Sequence, residues 1–282
     1  MTSERYLVGL IGAGIGTSLS PALHERAARR LGVRYSYEII DIDKIGASPA
    51  DVGELLTAAR RLGFRGLNIT HPCKQEVVKH LDDLAEEAAE LGAVNTVVFE
   101  NGRSLGHNTD RYGFGTNLAR TLPGAALGRV LQVGAGGAGA AVASAMIRAG
   151  TRQLLLADAD PRRSRALADR LNAEAIPLDA VAGLLPDVDG LINATPVGME
   201  GHPGVPVDAG ALRARTWVAD VIYRPLETEL IRAARGRGCP VVPGGGMVVY
   251  QAAEAFRLFT GHRPDGDKMF ADFLELTGTG DA

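Results

Sequence analysis

The stretch VLQVGAGGAGAAVASAMIRAG, residues 130–150, narrows the fold more than any other part of the chain. It reads as a strand, then Gly134-x-Gly136-x-x-Gly139, then a helix of small residues. Asp158 closes the next apolar run, QLLLAD, about 20 residues on, where a dinucleotide fold carries its acidic group. Each glycine has a physical task. Gly134 permits the turn, Gly136 lets backbone approach a pyrophosphate, and Gly139 lets the helix pack against the strand. The helix N-terminus adds free N–H groups and the positive end of a dipole. Glycine spacing alone is a weak signal, but strand, helix and spaced aspartate together are specific. The stretch predicts a dinucleotide-binding α/β domain.

Apolar runs alternate with helical ones along all 282 residues, the α/β pattern. Strands are expected at YLVGLIG (6–12), YSYEIID (35–41) and GLNIT (66–70), with helices near 21–31 and 51–62. DDLAEEAAEL (82–91) reads as an exposed helix, and Asn101-Gly102 as a hairpin turn. YGFGTNLARTL reads as a helix and LPGAALG (122–128) as a linker. A second strand series follows at 129–135, 153–158, 190–195, 216–222 and 240–244, then a long helix from about Gly246 to Thr260. The expected fold class is α/β with two domains. Residues 1–110, completed by 247–282, form an N-terminal substrate-binding and catalytic domain, and 111–246 a Rossmann-type domain.

A second glycine-rich loop, GLIGAGIGTSLSP (9–21), follows the first strand, with Asp41 at a tempting distance. Its glycines fall at 12, 14 and 16, Thr17 stands where the third fingerprint glycine belongs, and Pro21 sets a later helix start. It is a decoy for cofactor binding, and its Ser18 and Ser20 are placed to grip a polar ligand or to cap the helix. Asp158 bears on cofactor choice. A carboxylate there accepts from ribose hydroxyls and repels a 2′-phosphate, and the next position holds Ala159 rather than arginine, so NAD is favoured over NADP.

A net charge of −3 gives no reason to expect a nucleic-acid or anionic-membrane partner. No apolar run approaches membrane-spanning length and the N-terminus lacks signal-peptide features, which reads as cytoplasmic. Two distant cysteines, Cys73 and Cys239, make neither a disulfide framework nor a metal site, and no His/Asp/Glu cluster has ligand spacing, so no metal is expected.

Lysine is scarce: Lys44, Lys74, Lys79 and Lys268 stand against many arginines. Arginine cannot release its proton in a protein, whereas lysine can. Lys74, just past Pro72 in NITHPCKQ, is therefore the candidate proton carrier, and Asp110 of GHNTD is the carboxylate that would keep it charged. An ordinary ion pair is the plain alternative.

The motifs NITHPCK, GAVNT, GHNTD, VGAGGAG, NATPVG, DVIYRPLET and GGGMVVYQAAEAFRLFTG, with SLSPALHE before them, stand in the order found in shikimate dehydrogenases. From about residue 7 to about 262 the chain resembles that family, and most of all its NAD-using quinate/shikimate branch. Where biosynthetic members carry Asn-Arg-Thr, this chain has Asp158-Ala159-Asp160. The resemblance implies roles position by position. Lys74 would be the acid/base group, paired with Asp110. Ser18 and Ser20 would hold the substrate carboxylate, and Thr70, Asn95 and Gln251 the ring hydroxyls, with Tyr223 a further substrate contact. Gly136, Gly137 and Ala138 would face the pyrophosphate, and Asp158 and Arg163 the adenosine ribose. Thr195, Ile222, Gly244 and Met247 would lie along the nicotinamide end. The long last helix would return to the first domain.

The resulting expectation is an NAD-dependent enzyme interconverting shikimate with 3-dehydroshikimate, and quinate with 3-dehydroquinate. Serine at position 20, where quinate users often have threonine, leans toward shikimate. An amino-substituted shikimate or quinate, a non-catalytic NAD sensor and an NADP-linked folate-type dehydrogenase stand as alternatives, the last disfavoured by Asp158. Oligomeric state and reaction direction are not set by these residues.

Overall fold

The computed structural model describes residues 5–278. The chain divides into two compact units, one made of residues up to Thr109 together with those from Val249 onward, the other running from Asp110 to Val248.

The first unit contains β1 (Arg5–Gly12), α1 (Ser20–Leu31), β2 (Arg34–Asp41), a short α2 (Ile42–Ile45), α3 (Val52–Arg61) and β3 (Gly66–Ile69). It continues with β4 (Asp83–Leu84), α4 (Glu86–Leu91), β5 (Thr96–Glu100) and β6 (Arg103–His107). Its sheet has the order β2-β1-β3-β5-β6-β4. β5 runs against both neighbours, whereas β1, β2 and β3 are parallel, so the sheet is mixed. The Asn-Gly hairpin between β5 and β6 forms as its sequence requires, with φ of 51° at Asn101 and 77° at Gly102. One face carries a core around Ile11, Leu67, Ile69, Val77, Val94 and Val97.

The second unit follows from α5 (Thr109–Thr121), which starts on the last residue of the first. It contains β7 (Arg129–Val133), α6 (Gly137–Arg148), β8 (Gln153–Ala157), α7 (Pro161–Leu171), β9 (Glu174–Ala175), α8 (Val181–Leu184) and β10 (Gly190–Asn193). β11 (Trp217–Asp220), α9 (Glu229–Gly236) and β12 (Val241–Val242) complete the sheet. The order β9-β8-β7-β10-β11-β12 is parallel throughout. It is the doubly wound arrangement, in which ligands bind beyond the strands' carboxyl ends where the order reverses, here between β7 and β10.

α10 (Gly245–Thr260) begins in the second unit and ends in the first, and α11 (Gly266–Leu276) follows it. Ala255 and Phe259 pack with Val8, Leu10 and Tyr37, Tyr6 donates to the Thr260 carbonyl at 3.1 Å, and Arg65 Nε to the Phe259 carbonyl at 2.9 Å.

The run 82–91 is one place where the structure departs from expectation. Only Glu86–Leu91 is helical, and Asp83–Leu84 pairs with Leu105–Gly106 of β6. The cause lies in Asp82, whose carboxylate accepts from the Ser104 N–H at 2.7 Å and hydroxyl at 2.8 Å and so lays the segment along β6.

Candidate active site

In the first unit β1 and β3 are paired up to Ile11 and Ile69, so the loops that leave them share one edge. Gly12 makes this possible. A Cβ there would strike Thr70 Cγ2 and stand 3.0 Å from the His71 carbonyl, to which the Ala13 N–H donates at 3.0 Å. The loop beyond is pinned by Asp41, 4% exposed, which accepts from the N–H groups of Gly14 at 3.0 Å, Ile15 at 3.2 Å and Asp43 at 3.3 Å. Ser18 and Ser20 follow, both half-buried. Ser18 Oγ accepts from the Ser20 N–H at 3.2 Å, and the Ser20 side chain reaches the Tyr37 phenol, whose burial pushes its pKa up.

Thr70 and Lys74 leave β3 through a cis His71–Pro72 peptide. The Lys74 carbonyl accepts from the Val94 N–H at 2.8 Å, and the Ile69 N–H donates to the Asn95 carbonyl at 2.8 Å, which brings the lysine segment beside Asn95. Asn95 is 3% exposed. Its Oδ1 accepts from the Thr109 N–H at 2.8 Å and the Thr96 hydroxyl at 3.0 Å, and its Nδ2 donates to Thr109 Oγ1 at 3.0 Å. The Thr109 hydroxyl then reaches Gln251 Oε1 at 3.4 Å. Below this lies Asn68: Tyr37 donates to its Oδ1 at 2.8 Å, and its Nδ2 donates to the Asn95 carbonyl at 3.3 Å and to Thr96 Oγ1 at 3.0 Å. A backbone carbonyl can only accept, so the Asn68 amide has one orientation and the string has a fixed polarity. Ser20, Asn95 and Gln251 thus sit on one buried polar string, suited to orienting several hydroxyls at once. Asp110, 8% exposed, follows Thr109 in α5, and both it and Tyr223 belong to the second unit.

In the second unit Gly134 has φ +105°, and a Cβ there would collide with the Ala194 carbonyl and stand 2.9 Å from Thr195 N. A Cβ on Gly139 would strike the Gly134 carbonyl oxygen. Gln132, fully buried, donates from Nε2 to the carbonyls of Gly134 and Gly139 at 2.8 Å each. Gly136 precedes α6 with no side-chain cap, and a Cβ on Gly136 or Gly137 would meet nothing within 4 Å. Uncapped N–H groups facing open space form a cradle that fits a pyrophosphate. Asp158 Oδ2 accepts from the Ala135 N–H at 2.7 Å and Oδ1 from the Asp160 N–H at 2.8 Å. Asp160 in turn binds the Arg162 guanidinium through Nε and Nη2 at 3.0 Å each, which holds the Asp160 carboxyl below the ordinary range. Arg163 is exposed beside them.

Of the residues expected along the nicotinamide end, Thr195, Ile222 and Gly244 are brought together. Asn193 and Asp220 join the first two, and a Cβ on Gly244 would collide with the Ile222 carbonyl. Met247 is buried in the first turns of α10.

Matches to known families cover most of the chain: the shikimate dehydrogenase substrate binding domain over residues 10–97, shikimate/quinate 5-dehydrogenase over 117–198, and the shikimate 5′-dehydrogenase C-terminal domain over 244–269. A relative from Streptomyces avermitilis, shikimate dehydrogenase (NADP(+)), is 58% identical over 286 residues, covering 99% of this chain and 98% of its own length. The chain belongs to the shikimate dehydrogenase family. The quinate/shikimate dehydrogenase (NAD(+)) of Corynebacterium efficiens is 47% identical across 98% of this chain and 100% of its own. The solved quinate dehydrogenase from Corynebacterium glutamicum, in complex with NAD, superposes with a TM-score of 0.93 at 46% identity, covering 96% of this chain and 99% of that one. The protein is accordingly an oxidoreductase of the shikimate/quinate dehydrogenase class, with a substrate-binding domain and a Rossmann-like domain for a pyridine nucleotide. No helix among the described residues is long and apolar enough to cross a membrane.

Tyr37, Asn68, Thr96 and Thr109 in the first unit, and Gln132, Asn193, Asp220 and Thr228 in the second, had no role assigned from the sequence, although all but Tyr37 and Gln132 lie inside the motifs. The signal available for them was a polar residue inside an apolar strand, as at Asn68 and Gln132. His107 Nδ1 lies 3.1 Å from Glu87 Oε1.

Proposed function

We propose that this chain is an NAD-dependent dehydrogenase that interconverts shikimate and 3-dehydroshikimate and also accepts quinate. The observation that carries the cofactor choice is the acidic strand end after β8. Asp158 is half-buried and held by two backbone N–H groups, one on each oxygen, which leaves acceptor capacity for ribose hydroxyls, and Asp160 pairs with the Arg162 guanidinium beside it. Relatives named for NADP and for NAD both lie close in sequence, and it is this loop that supports NAD.

The bound nicotinamide would accept or return the hydride of the ring carbinol carbon. Lys74 would give a proton to the alkoxide as the ketone is reduced, and take it back during oxidation, with Asp110 as its partner. Ser18 and Ser20 would hold the carboxylate, Thr70, Asn95 and Gln251 would meet ring hydroxyls, and Tyr223 would add a contact. A site of buried, oriented polar groups rejects an analogue that leaves them unpaired.

The test is reduction of NAD and of NADP near pH 9 with shikimate and with quinate, wild type beside Lys74→Ala. Turnover that prefers NAD and falls by about a thousandfold or more in the variant is expected for loss of an acid/base group. Preference for NADP would overturn the cofactor assignment. Undiminished turnover in Lys74→Ala would remove the lysine from the chemistry.

A further inference from the structure

Thr195 and Ile222 stand on different loops, after β10 and β11, yet both hang from one buried pair. Asn193 is 0% exposed and Asp220 2% exposed. Asn193 Nδ2 donates to Asp220 Oδ1 at 3.1 Å and to the Val197 carbonyl at 3.2 Å. Its Oδ1 accepts from the Thr195 N–H at 3.0 Å and the Thr195 hydroxyl at 2.7 Å, and that hydroxyl oxygen accepts from the Val197 N–H at 3.1 Å. Asp220 Oδ1 also accepts from the Ile222 N–H at 3.0 Å, and Oδ2 from the Thr228 hydroxyl at 2.8 Å. Thr228 caps α9 by accepting from the Ile231 N–H at 3.3 Å.

No step of the reaction uses the Asp220 carboxylate, and burial works against it, pushing its pKa up while its three donors pull the other way. Burying a charge is costly unless it is fully hydrogen-bonded, so the arrangement asks for a purpose. Backbone groups fix its polarity. The Ile222 and Thr195 N–H groups can only donate and the Val197 carbonyl can only accept, so the Asn193 amide has one orientation. The single Thr195 proton is spent on Asn193 and one lone pair on the Val197 N–H, so toward a ligand the hydroxyl has one acceptor site and no proton to give.

We infer that Asp220, with Asn193 and Thr228, is a positioning unit that sets Thr195 and Ile222 for the nicotinamide half of the dinucleotide and leaves the adenosine half untouched. This rests on the proposed role of Thr195 and Ile222. The adenosine half has its own carboxylate, Asp158, at the end of another strand.

Calorimetric titration with NADH and with ADP-ribose, which lacks the nicotinamide, separates the two halves. For Asp220→Asn and Thr228→Val the expected result is NADH affinity lowered about tenfold or more, as small misplacements of a bound group cause, with ADP-ribose affinity unchanged. Equal losses for both ligands would overturn the inference, because they mark a general loosening of the unit. Wild-type NADH binding no tighter than ADP-ribose would instead overturn the assignment of Thr195 and Ile222 to the nicotinamide. If Asp220→Asn does not fold, position 228 decides. Thr228→Ser keeps the hydroxyl and should keep NADH affinity, whereas wild-type affinity in Thr228→Val would sink the proposal.

Discussion

Each unit of the molecule contains a strand, a glycine-rich loop and a helix in succession, and each sets an aspartate at the end of the neighbouring strand, yet the two loops do opposite things. In the first, Asp41 is buried and accepts from three backbone N–H groups, so its carboxylate is used up in shaping the loop that carries Ser18 and Ser20. In the second, Asp158 takes two such bonds and stays partly exposed, while Gly136 and Gly137 leave the helix start uncapped and open. The same sequence ingredients make a strut in one place and a receptor in the other. What separates them is how many backbone donors the carboxylate has already met.

The harshest way to break this contrast is Gly139→Val. Its branched side chain would be driven into the Gly134 backbone, and a loss of about 4 kcal/mol or more in the second unit's stability is expected from overpacking with backbone strain. Calorimetric unfolding reads this directly. Asp41→Asn is next: an amide facing three donors should cost about 2–3 kcal/mol, the range for lost charge-assisted bonds in a buried site, and leave the NAD/NADP preference as it was. A changed preference would show that Asp41 is no mere strut.

Acid should separate the units as well. His24 on α1 is buried among Tyr35, Tyr37, Phe256 and Phe259, and burial lowers its pKa from 6.5 to about 3. Between those values the unfolded chain binds a proton that the folded chain refuses, so the contribution is intact above pH 6.5 and is lost as pH falls. From pH 6.5 to 5 the loss is about 2 kcal/mol. Asp220 in the second unit is shifted the other way, raised by burial, so its contribution is greatest in acid and fades as pH rises through the folded pKa. Urea titrations at the two pH values should show a flatter slope for His24→Phe, and an unchanged slope would refute the assignment.

Smaller effects sharpen the picture. Asp158→Ser should shift the ratio of NAD to NADP efficiency by about tenfold, some 1.4 kcal/mol, with little change in unfolding temperature. Gly137→Ala should raise stability by about 0.4–1 kcal/mol, because a methyl group fits there and stiffens the unfolded chain. The same methyl group would face the bound pyrophosphate, so a raised cofactor KM is expected alongside.

Long elements were legible because their periodicity is carried by their own residues: α1, the Asn-Gly hairpin, β7 and α10 stand where the pattern put them. β4 and β9 were not, since a two-residue strand is decided by the partner it meets, as with Asp83–Leu84 on β6. Lysine scarcity pointed to Lys74 with Asp110 as its partner, and glycine spacing to the cofactor loop. Asn68 and Thr96 stood inside quoted motifs without a role and Tyr37 outside them, because their side chains serve other side chains and alternate along strands as any buried residue does. Asp220 opens the DVIYRPLET motif but had no role there, since its partners come from Asn193, Ile222 and Thr228 and show only in the fold.

The passage of α10 from one unit into the other has a consequence for synthesis. The first unit's core requires Ala255 and Phe259, which are made after everything in the second unit. Domains usually fold in the order in which they leave the ribosome. Here the N-terminal part is translated first and closed last: the contiguous second unit can complete itself while the sheet of the first waits for α10.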